Sequence, residues 1–555
     1  MKLSGAEIII KLLENEGVKY VSGIPGGFNL PIYDALYESS ITHILARHEQ
    51  GAAFIAQGIS RSTDDVGVCF ATSGPGATNL ITAIADAKLD SIPLVAITGQ
   101  VPLSSIGTDA FQEVDAFGLF MPICKHNYLI KDIMDLFTVI PDAFRIAKEG
   151  RPGPVLIDIP KDIQTSIIEI NEFPTKVSNK CISPTFNLSK IKEIASVINN
   201  SYKPIIYAGG GIITAKAYNE LSELAHKSNI PVALTLMGLT SLNYDDNLNL
   251  GMLGMHANPH TNYLIDEADL IIALGVRFDD RATGKIQTFA PNASIIHVDI
   301  DSSEINKLRS TSYSLVADVK YFLKEIIPYI KPNSRTEWLN HISDVKNLYY
   351  TNKYDNIIHP TNLITTISKL APENSIICTD VGQHQMWTAQ KYNFNTNNTF
   401  LTSGGLGTMG FGLPAAIGAA LSNKDKTVIL FSGDGSILMN IQELATLADY
   451  KLNIKIILFI NRRLGLVKQQ QELFFNKHYI ASSFIENPDF ITIATGFGIN
   501  SINLSLSKNP IEDLNLALLL PSPYLITIDV DDADNVFPMV VPGSSNLDMI
   551  GVNKY

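Results

Sequence analysis

Cysteine and positive charge are both scarce in this chain of 555 residues, and each shortage removes a class of protein. The four cysteines, Cys69, Cys124, Cys181 and Cys378, lie far apart with no Cys-x-x-Cys spacing. That excludes a disulfide scaffold or a zinc-finger site and suits a reducing compartment. Lys and Arg number 42 against 55 Asp and Glu, a net charge of −13. No basic block occurs, so a nucleic-acid partner, which demands clustered positive charge, is not expected. No run approaches the ~18 consecutive apolar residues of a membrane-spanning helix; stretches 454–460 and 514–520 have the length of buried strands or short helix faces. Met1 leads almost directly into a helical pattern at 6–13, without the charged start, apolar core and cleavage site of a leader, so a soluble, cytoplasmic protein is expected. The chain has no Gly-x-Ser-x-Gly, His-Glu-x-x-His or Walker A motif, which argues against a standard hydrolase or P-loop enzyme. His43, His126 and His256 show no metal-ligand spacing and read as structural.

Apolar residues, by contrast, make up 46% of the chain and charged ones only 17%. That is ample for several buried cores, and at about 100–200 residues per domain the length suggests three. Short β-branched runs alternate with longer helical patterns, the signature of α/β domains on parallel sheets. Strands are expected at 66–71, 94–98, 155–159, 205–208, 270–274, 295–300, 427–431, 454–460 and 524–529. Two polar stretches, 164–187 and 331–359, read as linkers and divide the chain into domains at 1–165, 186–335 and 360–555. The outer thirds echo one another: 68–76 and 428–435 each read as a buried strand, a glycine turn and a helix start. Duplication and chance recurrence of a common α/β unit both account for one such echo.

Gly433-Asp434-Gly435-Ser436, followed by Asn461, is the sharpest chemical signal. One strand delivers Asp434, a helix from Leu438 to about Asp449 crosses over, and the next parallel strand delivers Asn461 to the same sheet edge. A carboxylate and an amide oxygen suit a hard cation such as Mg²⁺, while the glycines let backbone amides approach a phosphate. Glu49, in Arg47-His48-Glu49-Gln50-Gly51, opens a helix beside small residues. A carboxyl drawn into apolar packing serves as an acid or base near neutral pH, but taken alone a Glu at a helix start is accounted for by the helix dipole. In the middle third, 205–211 ends a strand in Gly209, Gly210 and Gly211, and a later strand ends in acids at Asp299 and Asp301. That pattern admits a nucleotide site. The formal Gly-x-Gly-x-x-Gly match, 405–410, has neither a strong strand before it nor an acidic partner after it, and is discounted.

Together these motifs resemble the thiamine-diphosphate-dependent 2-oxo-acid enzymes, and within them the acetolactate synthase (acetohydroxyacid synthase) catalytic large subunits. The resemblance runs through 23–27, 47–50, 72–79, 91–102, 107–113, 150–154, 275–281, 381–387, 404–414, 433–436 and 537–540, almost the whole chain. It implies an α/β protein of three mostly parallel sheets flanked by helices: an N-terminal pyrimidine-binding domain, a central Rossmann-like FAD domain and a C-terminal diphosphate domain. It further implies decarboxylation of pyruvate on thiamine diphosphate and transfer of the two-carbon unit to a second 2-oxo acid, in branched-chain amino-acid biosynthesis. Asp434, Asn461 and the carbonyl of Arg463 would hold Mg²⁺. Gln383, His384, Gly433, Gly435, Ser436 and Asn461 would take the diphosphate, and Gly27, Gly407 and Met409 would flank the coenzyme. Glu49 would face its aminopyrimidine. FAD, without a net redox role, would meet Arg151, Gly209, Gly210, Gly211, Thr235, Leu253, Gly254, His256, Gly275, Arg277, Asp279, Asp299 and Asp318. Gln112, Lys161 and Arg281 fall near the acceptor. Sites of this family lie between the first domain of one subunit and the third of another, which implies a homodimer or tetramer, with a small regulatory subunit as a candidate partner.

Four positions depart from the family pattern. Gln470 stands where Trp is usual and Phe28 where Ala is usual; Met121 replaces a frequent Arg and Leu464 a polar residue. An amide in place of an indole opens and polarises the acceptor pocket, while Phe28 adds bulk, so a shift of acceptor preference toward pyruvate is expected. Other readings are a different carboligase or oxidase of the same coenzyme family, a flavin oxidoreductase, and a non-catalytic paralogue. Intact Glu49, Asp434 and Asn461 argue against the last.

Overall fold

Alternating apolar strands and helices build three six-stranded parallel sheets in succession along the chain. The computed structural model describes residues 1–171, 173, 187–349 and 356–552. In the first unit, β1 (Lys2–Ser4) pairs antiparallel with β8 (Ile167–Glu169). Between them, β2 (Tyr20–Gly23), β3 (Thr42–Leu45), β4 (Gly67–Ala71), β5 (Leu94–Gln100), β6 (His126–Leu129) and β7 (Pro154–Pro160) form a sheet in the order β3-β2-β4-β5-β7-β6. The middle unit contains β9 (Pro204–Ala208), β10 (Val232–Leu234), β11 (Asn249–Met252), β12 (Leu270–Leu274), β13 (Ser294–Asp299) and β14 (Tyr313–Val316), in the order β11-β10-β9-β12-β13-β14. The last unit runs β15 (Ile376–Thr379), β16 (Phe400–Leu401), β17 (Val428–Gly433), β18 (Ile454–Ile460), β19 (Asn500–Asn503) and β20 (Tyr524–Asp529), in the order β16-β15-β17-β18-β20-β19. A short antiparallel tail of β21 (Met539–Val540) and β22 (Met549–Ile550) follows.

The outer sheets share one topology: in each, the strands lie in the order second, first, third, fourth, sixth, fifth. The echo between 68–76 and 428–435 is therefore part of a repeat that spans both units. The middle sheet has the third-second-first-fourth-fifth-sixth order of doubly wound dinucleotide folds, with its switch point between β9 and β12. All nine expected strands form, and each is largely apolar because helices cover both faces of a parallel sheet, with buried polar exceptions such as Asp158 in β7 and Lys455 in β18.

The two stretches read as linkers differ from that expectation. Of 164–187, residues 172 and 174–186 lie outside the described residues, and the part before them holds the end of a short helix, Lys161–Thr165, and strand β8. Of 331–359, residues 350–355 lie outside the described residues, and most of the rest is the helix Thr336–Leu348. Polar residues hid its burial. Arg335 donates to the carbonyls of Ser228 and Ile198 at 2.7 and 3.0 Å, and the indole of Trp338 donates to Pro204 O at 3.2 Å, so both are buried with their donors satisfied. Of the helix expected from Leu438 to about Asp449 only Glu443–Tyr450 forms; 438–442 is turn, preceded by a separate short helix, Asp434–Ile437. Among the described residues no helix is long and apolar enough to cross a membrane.

First and last units meet where the helix Glu49–Ser62 crosses the helix Gly412–Ser422. Small residues permit the approach: a Cβ on Gly58 would stand 2.0 Å from Ala415 O, and one on Gly418 2.0 Å from Ile55 O. Phe54 and Phe411 then meet edge to face at 5.3 Å. Gly58→Ala is expected to push the helices apart at a cost of about 1–3 kcal/mol, read as a lower urea midpoint. An unchanged midpoint would mean that this crossing does not hold the two units.

Candidate active site

Three neighbouring strands, β15, β17 and β18, carry their chemistry to one sheet edge. The helix Gln383–Lys391 follows β15 and opens with Gln383 and His384. The four-residue turn of helix Asp434–Ile437 follows β17, and Asn461 follows β18. The Asp434 side chain is buried and accepts from Gly435 N at 3.0 Å, Arg462 N at 2.7 Å and Asn487 Nδ2 at 2.7 Å. Burial pushes its carboxyl above the ordinary range, against those hydrogen bonds. Asn461 Oδ1 accepts from Arg463 N at 3.0 Å, and its amide donates to Gln383 Oε1 at 3.1 Å. Gly465 lets the last contact form, because a Cβ there would lie 2.0 Å from Gln383 Oε1.

Two buried polar atoms here are left without a hydrogen-bond partner among the described residues, His384 Nε2 and Asn487 Oδ1. Burial lowers the His384 pKa to about 3, so the ring is neutral and aims an uncharged nitrogen into this edge. Among the described residues no cluster of three or more His, Cys, Asp or Glu is arranged to hold a metal. The donors that do converge, one carboxylate and one amide oxygen with a nearby backbone carbonyl, form a smaller, oxygen-rich set that suits a cation completing its shell with phosphate and water.

The segment bearing Gly407 and Met409 is tied down at both ends. Asp90 accepts from Gly404 N and Gly405 N at 3.1 and 2.7 Å, Asp86 accepts from Thr408 Oγ1 at 3.0 Å, and both carboxylates pair with the buried Arg61. At the far end Asp380, fully buried, accepts from Gly410 N at 2.8 Å and Val381 N at 2.9 Å. Burial raises its pKa to about 6. Sequence reasoning missed Asp86, Asp90, Asp380 and Asn487; each lies outside a Gly-Asp-Gly turn, and each has a partner remote in sequence.

Glu49 opens the helix Glu49–Ser62 in the first unit, with His48 as its N-cap. Its Oε2 accepts from Asn79 Nδ2 at 2.9 Å, and a Cβ on Gly76 would lie 3.4 Å from its Oε1. Asn79 was not read as Glu49's partner from the sequence. No hydrogen bond among the described residues joins Glu49 to Asp434, Asn461 or His384. Near Glu49 in the chain's first unit, Phe28 and Lys161 come together, the Lys161 ammonium standing 5.8 Å from the Phe28 ring. Gln112 packs its backbone under Gly74 with a φ of +59°. Gln470, on the helix Gly465–Phe474, and Arg281, on the turn Asp280–Thr283, are exposed.

At the switch point of the middle sheet, Gly211 lies against Gly275, where a Cβ would fall 2.6 Å from the Gly275 Cα. Thr235 ends β10 with its hydroxyl buried and unpartnered among the described residues. Asp299 ends β13, buried, with a pKa raised to about 6 by burial. Other candidates for that unit already have structural partners. Asp279 caps the turn Asp280–Thr283, and Asp318 caps the helix Val319–Ile326. Arg151 pairs with Asp301 and Glu304, and His256 Nδ1 lies 3.0 Å from Pro538 O. Gly254 donates to Asn262 Oδ1, Leu253 is buried, and Arg277 is half-buried after β12.

Comparison with known proteins agrees with this arrangement. Models of the N-terminal TPP binding domain, the central domain and the C-terminal TPP binding domain of thiamine pyrophosphate enzymes match residues 3–119, 191–326 and 380–528. The chain is 51% identical over 554 residues to the acetolactate synthase isozyme 1 large subunit of Escherichia coli, covering 99% of this chain and 98% of that one. It is 44% identical over 552 residues to the isozyme 2 large subunit of the same organism, covering 99% of both. A probable acetolactate synthase large subunit of Methanocaldococcus jannaschii is 45% identical over 556 residues, covering 98% of this chain and 94% of the relative.

Proposed function

The chain belongs to the thiamine pyrophosphate enzymes, among their acetolactate synthase large subunits, and we propose that its outer units hold thiamine diphosphate between them while the middle unit holds FAD. The protein is an enzyme that forms 2-acetolactate from pyruvate on thiamine diphosphate, in branched-chain amino-acid biosynthesis. The observation that carries the site assignment is the buried Asp434 and the half-buried Asn461 at the ends of neighbouring strands, beside the unpartnered nitrogen of His384.

Asp434, Asn461 Oδ1 and the Arg463 carbonyl are the oxygens that would hold Mg²⁺, leaving its other positions to diphosphate and water. Gln383, His384, Gly433, Gly435 and Ser436 would surround the diphosphate, with the neutral His384 ring free to pair through Nε2. When bound, thiamine diphosphate supplies an acidic carbon and an electron sink for the decarboxylation. Glu49 would hold and return a proton at the aminopyrimidine, its second oxygen kept in place by Asn79. Phe28, Gln112 and Lys161 would wall the acceptor side, and Arg281 would pair with the second substrate's carboxylate in the two-pronged geometry Arg favours.

That no hydrogen bond joins Glu49 to Asp434 among the described residues supports a site assembled from two copies, in a homodimer or tetramer. Phe111 is 81% exposed and Ile485 fully exposed in the single chain, as an unpaired interface requires. The large-subunit relatives support a small regulatory subunit as a further partner. In the middle unit, the dinucleotide strand order, the close Gly211–Gly275 approach and the unpartnered Thr235 hydroxyl fit FAD.

Purified protein given pyruvate, Mg²⁺ and thiamine diphosphate is expected to release CO₂ and accumulate acetolactate, and to do neither without the coenzyme. Acetate and peroxide as products would make it an oxidase instead. Gln470→Trp restores the family's usual residue to the acceptor pocket and is expected to raise preference for 2-oxobutanoate over pyruvate about tenfold, the scale on which one methylene is discriminated. Competition between the two 2-oxo acids measures it; an unchanged ratio would remove Gln470 from the pocket.

A further inference from the structure

Glu443 is a fully buried carboxylate to which, among the described residues, no basic side chain is hydrogen-bonded. It opens the helix Glu443–Tyr450 in the last unit and is 0% exposed. Its Oε1 accepts from Arg47 N at 2.9 Å and its Oε2 from Thr446 Oγ1 at 2.7 Å. Gly51 makes room for it: a Cβ there would stand 2.4 Å from Oε1. The rest of its helix follows the same seam, with the Tyr450 hydroxyl donating to His43 O at 3.1 Å and Asp449 pairing with the Arg47 guanidinium. Arg47 and Gly51 bracket Glu49, so Glu443 grips the first turn of the helix that carries it. A buried carboxylate is costly unless its lone pairs are used, and here they are used on the backbone amides of Arg47 and His48 and on one hydroxyl.

We propose that Glu443 is a positioning residue for Glu49: its buried carboxylate, bonded to the Arg47 amide and pressed against Gly51, sets where the Glu49 carboxyl stands. The proposal rests on the proton-holding role given to Glu49 above. It also ties the two sequence motifs together, since the helix that Glu443 opens follows the Asp434–Ile437 turn with only residues 438–442 between.

Three measurements on the full-length protein test it: amide hydrogen exchange of segment 45–52 without coenzyme, Mg²⁺–thiamine diphosphate affinity by calorimetry, and exchange of the bound coenzyme's C2 proton with D₂O. Glu443→Ala is expected to speed amide exchange in that segment about tenfold. It should slow C2-proton exchange at least about tenfold, the scale of a small misplacement of a catalytic group, with coenzyme affinity kept within about twofold. Glu443→Gln retains an acceptor for the Arg47 amide and should restore both exchange rates to within about threefold of wild type. If Glu443→Ala does not fold, Gly51→Ala attacks the same contact from the other side and carries the same expectations. The proposal is overturned if C2-proton exchange stays at the wild-type rate, or falls only in step with lost affinity. Glu49→Gln is the control: if it leaves C2-proton exchange unchanged, the role of Glu49 itself is what fails.

Discussion

Asp434→Ala is expected to strip the protein of Mg²⁺ and thiamine diphosphate, lowering coenzyme affinity by at least about a hundredfold and abolishing turnover at ordinary coenzyme concentrations. Loss of a group that merely supports a metal ligand costs 10–100-fold in affinity, and Asp434 is proposed as a ligand itself. The side chain also ties three separate pieces of chain, accepting from the amide after it, from Arg462 N at the end of β18 and from Asn487 beyond the next helix. Removing it therefore leaves buried donors unpaired in addition to removing the charge, a cost of about 1–3 kcal/mol per unsatisfied group. Asp434→Asn separates the two effects, since it keeps the volume while losing the charge. Calorimetric titration with Mg²⁺ and thiamine diphosphate reads both variants. Wild-type affinity in Asp434→Ala would remove the metal site from this sheet edge.

The contrast between Asp434 and Glu443 shows which parts of such a site can be read from sequence. Asp434 and Asn461 are legible because short local units deliver them: an apolar strand, a glycine turn, and the next parallel strand at a predictable crossover. Glu443 bonds to an amide 396 positions away, and Asp86 reaches Thr408 across 322. No local pattern encodes such pairs; only the docking of the first unit on the last creates them. The same logic divides the strands. Central strands such as β5, β7 and β18 are mostly apolar runs because both their faces are covered. The edge strands β6, β14 and β19, reading His-Asn-Tyr-Leu, Tyr-Ser-Leu-Val and Asn-Ser-Ile-Asn, lack such a run and were not expected as strands.

The helix Thr336–Leu348 was hidden for a related reason. Burial of Arg335 depends on carbonyls at the ends of two earlier helices, and a charged residue whose partners are backbone atoms looks in sequence like an exposed one. The shared topology of the outer units was equally beyond one short motif. It becomes plain only when six strands in each unit are laid side by side in the same order.

Glu49→Gln is the variant in which chemistry and binding should part most cleanly. The amide keeps the size of the side chain and can still accept from Asn79, so the first turn of its helix has no reason to move. The residues proposed to hold the diphosphate and the metal sit on another unit and, among the described residues, make no hydrogen bond to Glu49, so coenzyme affinity should stay near wild type. What is lost is an ionisable oxygen at the aminopyrimidine. Proton transfer by a placed side chain contributes about 10²–10⁴-fold to a rate, and turnover of pyruvate should fall by that factor at saturating coenzyme. Asn79→Ala should lower turnover by less, because it frees the carboxyl without removing it. A Glu49→Gln enzyme that turns over at the wild-type rate would mean that the proton is handled elsewhere, and the helix start at Glu49 would then be a matter of the dipole alone.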